Sequence, residues 1–367
     1  MSLFSHWRDE LADLQSRGGH RRLRPPTGQD FSSNDYLGYG TIALRDDSIL
    51  SRSGVASRLL RGDHPLWSDA EAALAMWHRA EAALIFNSGY VANEGLLSAV
   101  IDEGAWVASD EFNHASIIDG LRLTKATRFI YPHNDLGRLE EGLRSASAKT
   151  RFIVTESLFG MEGDVASLAE IAALARRFDA HLIVDEAHAT GCFGETGGGL
   201  VDALGLRGDV LATMHTGGKA LGVPGAYVVG SSLLKEWLVN RCRHLIFTTA
   251  LPPRIAGWWL DALSRVAEDH VGRERLRANA AVFRAELAGH CDLLGSRHIA
   301  PIRIGDEART LAIAESLQAA GFDVRAIRPP TVPKGESRLR VSIHADHSAE
   351  LIAALATHLR DALDRFP

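Results

Sequence analysis

The sequence predicts an α/β protein with a mostly parallel central sheet, helices on both faces of that sheet, and a smaller C-terminal α+β domain. The first observation behind this prediction is a series of short apolar runs that alternate with longer amphipathic stretches. The second is the composition, because 46% of the 367 residues are hydrophobic and 23% are charged, as in an ordinary globular chain. The third is the length, which exceeds what one hydrophobic core usually supports and indicates about two domains.

An amphipathic helix is predicted at the start of the chain, where Trp7, Leu11 and Leu14 recur at helical spacing. The apolar runs that follow have the length of buried strands and lie at 82–86, 105–108, 128–131, 152–155, 181–184, 210–213 and 226–229. Stretches between them, such as 168–178, have the length of crossover helices, which join parallel strands. Because ligands of such sheets bind at the carboxyl ends of the strands, we expect the functional residues there.

A second pattern begins near Pro252 and Pro253. A long helical region is predicted at 255–290, and it leads to shorter strands at 301–304, 323–327 and 339–344, accompanied by helices at 308–320 and 348–363. This mixture of elements predicts a smaller α+β domain. We therefore divide the chain into an N-terminal segment (1–45), a large domain (46–250) and a small C-terminal domain (251–367).

The charge and the cysteine content argue against several classes of protein. The net charge of −6 disfavours a nucleic-acid-binding protein that relies on global positive charge. Cys192, Cys242 and Cys291 are too few and too scattered for a disulfide framework or a zinc site, and no H-E-x-x-H pattern is present. No apolar stretch reaches the ~20 residues of a membrane span, and no signal peptide is visible. We expect a cytoplasmic enzyme without a metal, a nucleic acid or a membrane as partner.

The segment Val184-Asp185-Glu186-Ala187-His188 ends one of the predicted strands. The same letters form a nucleotide-binding motif of certain helicases, so we considered a P-loop NTPase. Such an enzyme needs an upstream G-x-x-x-x-G-K-[ST] loop that binds phosphate. The only similar string begins at Thr213 and lies downstream, with threonine in the first glycine position and Ala220 in the hydroxyl position. The sequence therefore disfavours an NTPase.

A different interpretation joins Asp185 to Lys219, which follows the next strand on a glycine-rich turn that begins at Thr216. A lysine amine on such a turn can form a Schiff base with a cofactor, and the glycines let the backbone approach it. A carboxylate at a neighbouring strand end can pair with a pyridinium nitrogen. Singly, Lys219 could be a solvated side chain and Asp185 a turn cap. Together, in this order and spacing, they favour pyridoxal phosphate.

The phosphate group of such a cofactor needs its own site. Residues 86–90 close a strand and open a helix, so that backbone N–H groups and the helix dipole point at one spot. Gly89 allows close approach, Ser88 can donate a hydroxyl, and Tyr90 adds an aromatic ring. His114 is expected to begin the following helix, where an imidazole can stack on a planar ring and serve in proton transfer.

These residues resemble a known family, the α-oxoamine synthases, over about residues 30 to 345. Its members are fold-type-I pyridoxal-phosphate enzymes that condense an amino acid with an acyl thioester and release CO2. The matching segments, in order and at compatible spacing, are 31–38, 57–60, 88–93, 133–135, 155–156, 184–188, 216–219 and 247–253. Residues 326–333 and 338–340 are most similar to the branch that joins L-alanine to a pimeloyl thioester in biotin biosynthesis.

The resemblance implies a role for each candidate residue. It implies that Lys219, His114, Asp185 and His188 are catalytic, with Lys219 binding the cofactor and removing the Cα proton of the amino acid. The implied cofactor-binding set is Ser88, Gly89, Tyr90, His114, Glu156, Asp185, His188, Thr216, Lys219 and, across a homodimer interface, Thr249. The implied substrate-binding set is Asn34 and Arg340 for the amino-acid carboxylate, Thr331 for the acyl path, and Arg21 for the far carboxylate of the pimeloyl chain.

Several alternatives stay open at the level of sequence. The acyl donor is pimeloyl-CoA or pimeloyl-acyl carrier protein. The alternative function is that of a sister enzyme that uses glycine, of the 2-amino-3-ketobutyrate CoA ligase or 5-aminolevulinate synthase type. The two kinds of enzyme differ in the amino-acid pocket, which must distinguish alanine from glycine by one methyl group. A catalytically silent subunit of this fold is disfavoured because Lys219 is present. Gly160 stands where members of the family usually carry serine, which implies the loss of one hydroxyl near the cofactor.

Overall fold

We analysed a computed structural model, which describes residues 3–16, 27–42 and 50–366. These residues form two compact units. The large unit comprises Asn34–Gly160 and Asp164–Leu276, and the small unit comprises Met161–Gly163, the residues from Arg277 onward and the described residues up to Ser33. In the second half of the chain, the large unit ends at Leu276 and the small unit begins at Arg277, whereas the sequence analysis divided the two domains after residue 250.

The described strands are short and are numbered in chain order as follows: β1 Gln29–Asp30, β2 Ala82–Phe86, β3 Trp106–Asp110, β4 Thr127–Tyr131, β5 Arg151–Glu156, β6 Ala180–Asp185, β7 Val210–Thr216, β8 Ala226–Gly230, β9 Asp292–Leu293, β10 Ile299–Gly305, β11 Phe322–Asp323, β12 Arg325–Ile327 and β13 Ser337–Ser342. The described α-helices are α1 Leu3–Ser16, α2 Pro65–Trp77, α3 Gly89–Val100, α4 Ala115–Arg122, α5 Leu136–Ser145, α6 Leu168–Arg177, α7 Leu200–Ala203, α8 Ser232–Arg241, α9 Arg243–Ile246, α10 Arg254–Glu268, α11 His270–Glu286, α12 Glu307–Ala319 and α13 Ala349–Arg365. Two short 3-10 helices span Tyr39–Thr41 and Arg207–Asp209.

The large unit contains a seven-stranded sheet in the order β2-β8-β7-β6-β5-β3-β4. The neighbours from β7 to β4 pair in parallel, and β8 is antiparallel to both β2 and β7. The predicted mostly parallel sheet is thus confirmed. The exception has a local cause, because β7 and β8 are joined by a short turn and not by a crossover helix.

Most strands of this sheet are buried on both faces, as parallel strands covered on both sides should be, whereas three of the five residues of the edge strand β4 are exposed. Val107 and Ala108 are adjacent in β3 and therefore point to opposite faces, yet both are fully buried. The register pairs Glu156 at the end of β5 with Asp185 at the end of β6, and Asp185 with Met214 near the end of β7. The sheet therefore places the carboxyl ends of these strands side by side.

The small unit contains a four-stranded antiparallel sheet in the order β12-β13-β10-β9, and a separate parallel pair, β1 with β11. Its core includes apolar residues of the sheet and of the helices, among them Ile302, Leu339, Ile313 and Leu355. This agrees with the predicted α+β character. The predicted strand at 323–327 is two strands, because β11 pairs with β1 whereas β12 pairs with β13.

The long helix predicted at 255–290 is also divided, into α10 and α11. Asp269 separates the two helices, and its carboxylate accepts a hydrogen bond from the backbone N–H of Gly272 at 2.8 Å. An aspartate in this place caps the first turn of the next helix, so that a new helix begins. Within the described residues, no helix has both the length and the apolar character that a membrane crossing would require.

Candidate active site

A cavity of about 190 Å³ lies within the large unit, where β5, β6 and β7 end. Eight of the ten cofactor-binding residues expected from the sequence line it: Gly89, Tyr90, His114, Glu156, Asp185, His188, Thr216 and Lys219. Four further residues complete the lining, and they are Asn93, Ser116, Ala187 and Met214. The sheet thus brings together side chains that are up to 130 positions apart in the sequence, from Gly89 to Lys219.

Asp185 is the last residue of β6, and only 5% of it is exposed. Its Oδ1 accepts a hydrogen bond from the backbone N–H of Ala187 at 2.8 Å, and its Oδ2 accepts one from Asn93 Nδ2 at 2.8 Å. A buried carboxylate needs such donors to offset the loss of water. The two bonds hold the carboxylate in a fixed orientation at the cavity, where it can pair with a positively charged nitrogen.

Lys219 lies on the turn that joins β7 to β8. The backbone N–H of Gly217 donates to Gly225 O at 2.9 Å, and the N–H of Val223 donates to Gly217 O at 2.9 Å. Gly217 is required there because a Cβ atom would lie 2.4 Å from Val223 O. The sequence contains five lysines, all of them described, and Lys219 is the one that lines the cavity. Its Nζ lies 2.8 Å from Nε2 of His188.

The N-terminus of α3 forms one wall of the cavity. Ser88 caps this helix, because its Oγ accepts a hydrogen bond from the N–H of Val91 at 3.3 Å. Thr216, at the end of β7, lies next to Gly89, since a Cβ atom on the glycine would be in ordinary van der Waals contact with the threonine Cβ, at 3.6 Å. Backbone N–H groups of a first helical turn together with a threonine hydroxyl are donors that suit a phosphate group.

Ser88 and Thr249 are the two predicted cofactor-binding residues that are not among the lining residues, and Thr249 lies outside the first turn of α3 as well. Its backbone oxygen accepts a hydrogen bond from Asn87 Nδ2 at 2.9 Å. Asn87 directly precedes Ser88, so the segment that contains Thr249 is attached to the loop before α3. A direct contact of Thr249 with the cofactor stays a prediction.

His114 also lines the cavity, and it caps the N-terminus of α4. Its backbone N–H donates to Oε1 of Glu156 at 2.7 Å, and its Nδ1 lies 2.7 Å from the hydroxyl of Ser116. Glu156 is the last residue of β5 and is buried. The carboxylate of Glu156 therefore holds the backbone of the loop that carries the imidazole.

The surroundings of His114 keep its imidazole neutral at neutral pH. Desolvation lowers the pKa of His114, and the charge of Lys219 acts in the same direction, while Asp185 has the opposite effect. The ring of Tyr90 presents its edge, with ring centroids 6.1 Å apart at an angle of 76°. A neutral imidazole that lines the cavity is suited to stack on a planar heterocycle.

Asn93 and Ser116 line the cavity, and the sequence analysis assigned neither of them a role. Asn93 Nδ2 donates to both Ser116 Oγ, at 2.9 Å, and Asp185 Oδ2. The signal that could have found Asn93 is its position four residues after Gly89, which places both on one helix face. Nothing local marks Ser116, because its role depends on contact with a helix 23 residues away.

Asn34 is connected to the cavity through Tyr36. The Tyr36 hydroxyl donates to Asn34 Oδ1 at 2.9 Å and lies 2.7 Å from His188 Nδ1. Asn34 itself is not among the lining residues. Tyr36, which is fully buried, was not predicted as a site residue.

The other predicted substrate-binding residues lie in the small unit or outside the described residues. Arg340 is a buried residue of β13 whose Nη1 donates to Ser342 Oγ at 3.0 Å. Thr331 is exposed, and its N–H donates to Arg328 O at 3.0 Å. Arg21 lies outside the described residues. Substrate binding by these three residues stays a prediction.

Gly160 lies against the imidazole of His188. A Cβ atom at this position would be 2.3 Å from His188 Nε2, which is far inside van der Waals contact. The sequence implied only that a hydroxyl is lost here. The structure adds that any side chain at residue 160 is incompatible with the position that His188 takes.

His133 links the two loops that carry His114 and Gly160. Its Nδ1 lies 2.9 Å from Asp110 Oδ1, and its Nε2 lies 2.8 Å from Asp164 Oδ2. Burial acts to lower the pKa of His133, but the hydrogen bonds and charges of the two aspartates outweigh it and raise the pKa to about 10. His133 is therefore an imidazolium ion at neutral pH and bridges two carboxylates.

Replacing His133 with glutamine is expected to lower the free energy of unfolding by about 2–4 kcal/mol near pH 6, because it breaks a partly buried charged bridge. The pKa of His133 is raised on folding from its ordinary 6.5 to about 10, so its contribution is complete below pH 6.5 and is lost as the pH rises through 10. The difference between wild type and His133→Gln should therefore shrink from pH 6 to pH 10 in urea unfolding. The control is His181→Gln at an exposed position. A difference that stays constant or grows with pH would contradict this assignment.

The donor set of the cavity suits pyridoxal phosphate, the cofactor that the sequence implies. The cavity offers an amine for a carbonyl group, a fixed buried carboxylate for a ring nitrogen, and an imidazole for the face of a ring. The first turn of α3 and the hydroxyl of Thr216 offer donors for a phosphate. Each chemical group of this cofactor therefore has a counterpart among the residues present.

The chain matches the family described as aminotransferase class I and II over residues 28–359. The 8-amino-7-oxononanoate synthase of Chlorobaculum parvum is 44% identical over 347 residues, covering 90% of this chain and 88% of that protein. The protein of the same name from Aromatoleum aromaticum is 40% identical over 378 residues, covering 97% and 98%. A solved serine palmitoyltransferase from S. paucimobilis, with a bound PLP–myriocin aldimine, has a TM-score of 0.90 and 26% identity, and covers 100% of this chain and 99% of that one. These similarities confirm the predicted fold class.

Proposed function

The chain belongs to the aminotransferase class I and II family and, within it, to the α-oxoamine synthases, and on this premise we propose that it condenses L-alanine with a pimeloyl thioester. The products are 8-amino-7-oxononanoate, CO2 and free thiol, in biotin biosynthesis. Relatives of this name that are 40–44% identical over nearly the whole chain support this reaction. The observation that carries the chemistry is one cavity that holds the amine of Lys219 and the fixed carboxylate of Asp185.

The enzyme depends on pyridoxal phosphate, and different residues of the cavity would bind the different chemical groups of this cofactor. Lys219 would hold the cofactor covalently, and Asp185 would pair with the ring nitrogen. Thr216 and the first turn of α3 would bind the phosphate, and His114 would cover one face of the ring. When bound, the cofactor supplies an electron sink for the charge that remains after a Cα proton is removed.

Lys219 acts as the base that takes the Cα proton from the amino acid and later returns a proton. The contact between its Nζ and His188 Nε2 at 2.8 Å supports this role, because the imidazole orients the amine and can share a proton with it. The carboxylate of Asp185 would face the ring nitrogen in a fixed orientation, since both of its oxygens accept hydrogen bonds. The protein therefore supplies orientation, proton transfer and fixed charge.

The carboxylate of L-alanine is assigned to Asn34 and Arg340. An arginine guanidinium can bind a carboxylate through two parallel hydrogen bonds, and an asparagine amide adds a further donor. Thr331 and Arg21 are proposed for the acyl chain and its far carboxylate. Because the net charge of the chain is −6, attraction of these anionic ligands must come from such individual cations.

The active form is proposed to be a homodimer in which Thr249 reaches the cofactor site of the other protomer. Two large apolar side chains support an interface on the large unit, because Leu60 is 77% exposed and Phe247 is 71% exposed. Both residues lie in segments that resemble the family. The cytoplasmic location stays a prediction from the sequence.

Turnover of purified protein with L-alanine or glycine, each combined with pimeloyl-CoA or pimeloyl-acyl carrier protein, tests the proposed function. We expect alanine to be preferred over glycine by about 10- to 100-fold, because one methyl group in a fitted pocket contributes ~1–3 kcal/mol. The rate without a thioester serves as the blank. A preference for glycine would replace the proposed reaction by that of a glycine-using α-oxoamine synthase. Comparison of the two donors identifies the carrier.

A further inference from the structure

A row of hydrogen bonds leads from the cavity into the interior of the large unit. Lys219 Nζ contacts His188 Nε2, His188 Nδ1 lies 2.7 Å from the Tyr36 hydroxyl, and that hydroxyl lies 2.9 Å from Asn34 Oδ1. Tyr36 is fully buried, and 8% of His188 is exposed. The row connects the amine that takes the substrate proton to a buried phenol.

The chemistry of the groups fixes where the protons lie. An amide oxygen only accepts hydrogen bonds, so the single hydroxyl proton of Tyr36 is donated to Asn34. The Tyr36 oxygen must then accept from His188, which requires a proton on Nδ1. The neutral imidazole consequently carries an unprotonated Nε2 toward Lys219. In the cationic imidazole, the same bond from Nδ1 to Tyr36 is charge-assisted and therefore stronger.

Gly160 provides the space for this arrangement. The Nε2 atom lies where a side chain at residue 160 would be, with only 2.3 Å to an added Cβ atom. The imidazole can therefore reach both Tyr36 and Lys219 because residue 160 is glycine.

We propose that Tyr36, anchored by Asn34, is a positioning residue that keeps Nδ1 of His188 protonated, so that His188 exchanges protons only through Nε2, the atom next to Lys219. This rests on the proposed function, in which Lys219 binds the cofactor and moves the substrate proton. Two titratable groups in direct contact with the imidazole are Tyr36 and Lys219. His114, Glu156 and Asp185 line the same cavity.

Tyr36→Phe is expected to shift the pH titration of the bound cofactor's visible absorbance upward by about one pH unit in the holoenzyme. Without the hydroxyl, the Nδ1–H loses its acceptor, so the cationic imidazole becomes less favourable. A nearby positive charge favours the deprotonated form of the cofactor, and losing it raises the midpoint. We also expect kcat to fall about tenfold while the KM for alanine stays unchanged. Tyr131→Phe, at another buried tyrosine of the large unit, should keep the wild-type midpoint.

Gly160→Ser is a second variant that disturbs the position of the His188 imidazole, because the added side chain would lie against its Nε2 atom. The added side chain displaces the imidazole, so the midpoint should shift in the same direction as in Tyr36→Phe. Gly208→Ala is its control, since no atom lies within 4 Å of the added Cβ. If both Tyr36→Phe and Gly160→Ser keep the wild-type midpoint with full cofactor content, the positioning role is wrong. If the wild-type protein shows no cofactor absorbance at all, the proposed function itself fails.

Discussion

Lys219→Ala should abolish turnover, with a loss of about 10³-fold or more, and should remove the visible absorbance of the bound cofactor. The amine of Lys219 has two tasks in this account, since it holds the cofactor and takes the substrate proton. No neighbouring group can replace it, because the other four lysines, all within the described residues, do not line the cavity. Turnover with L-alanine and pimeloyl thioester, together with the visible spectrum of the purified variant, measures both losses.

Lys125→Ala is the matched control for this prediction. Lys125 is an exposed lysine of the same unit that pairs with Glu103 at 3.0 Å on the surface. Exposed pairs of this kind contribute about 0–1 kcal/mol, so the variant should keep the turnover and the spectrum of the wild type. Retention of turnover and absorbance in Lys219→Ala would refute the role of this residue.

Asp185→Asn should lower turnover by about 10²–10³-fold, because it removes the fixed negative charge that the site offers to a ring nitrogen. The change also leaves a mismatch in the protein. Asparagine has one acceptor oxygen, whereas both oxygens of Asp185 accept hydrogen bonds, from Ala187 N–H and Asn93 Nδ2. The variant should still bind cofactor at Lys219, so the visible absorbance should persist while kcat falls. Parallel measurement of the spectrum and of kcat separates these two effects.

Glu186→Gln is a control for Asp185→Asn that lies one residue further along the chain. The carboxyl group of Glu186 is fully buried away from the cavity, where it accepts from the backbone N–H of Val201 at 3.3 Å. Burial raises the pKa of Glu186 to about 7, so the glutamine resembles its protonated form. We expect near wild-type turnover. Equal losses of turnover in Asp185→Asn and Glu186→Gln would mean that turnover depends on the intact end of β6 and not on the negative charge of Asp185.

Much of the large sheet was predictable because most of its strands are buried on both faces, with the edge strand β4 as the exception. Each apolar run, such as 82–86, has the length of a strand and is separated from the next by a helix or a turn. The direction of β8 was not predictable from apolar runs, since it depends on the short turn that carries Lys219. The break at Asp269 was hidden by continuous helical spacing, because a single capping side chain causes it.

The candidate site was predictable where chemistry and local sequence coincide. Asp185 ends β6 and Lys219 follows β7 on a glycine-rich turn, and the two together match the needs of a cofactor bound as a Schiff base. Ser116 and Tyr36 are different, because each acts through a partner that is distant in the sequence, whereas Asn93 at least shares a helix face with Gly89. Tyr36, for example, contacts a histidine 152 positions away. Contacts of this kind are set by the folded chain and leave no local pattern.

The most direct test of the central claim is to identify the residue that carries the cofactor. The purified holoenzyme is reduced with borohydride and digested, and the peptides are analysed by mass spectrometry. With five lysines in the chain, the modified residue can be assigned without ambiguity. We expect one phosphopyridoxyl group per chain, on Lys219. A group on another lysine, or no modified peptide from protein that is active with L-alanine and a pimeloyl thioester, would contradict it.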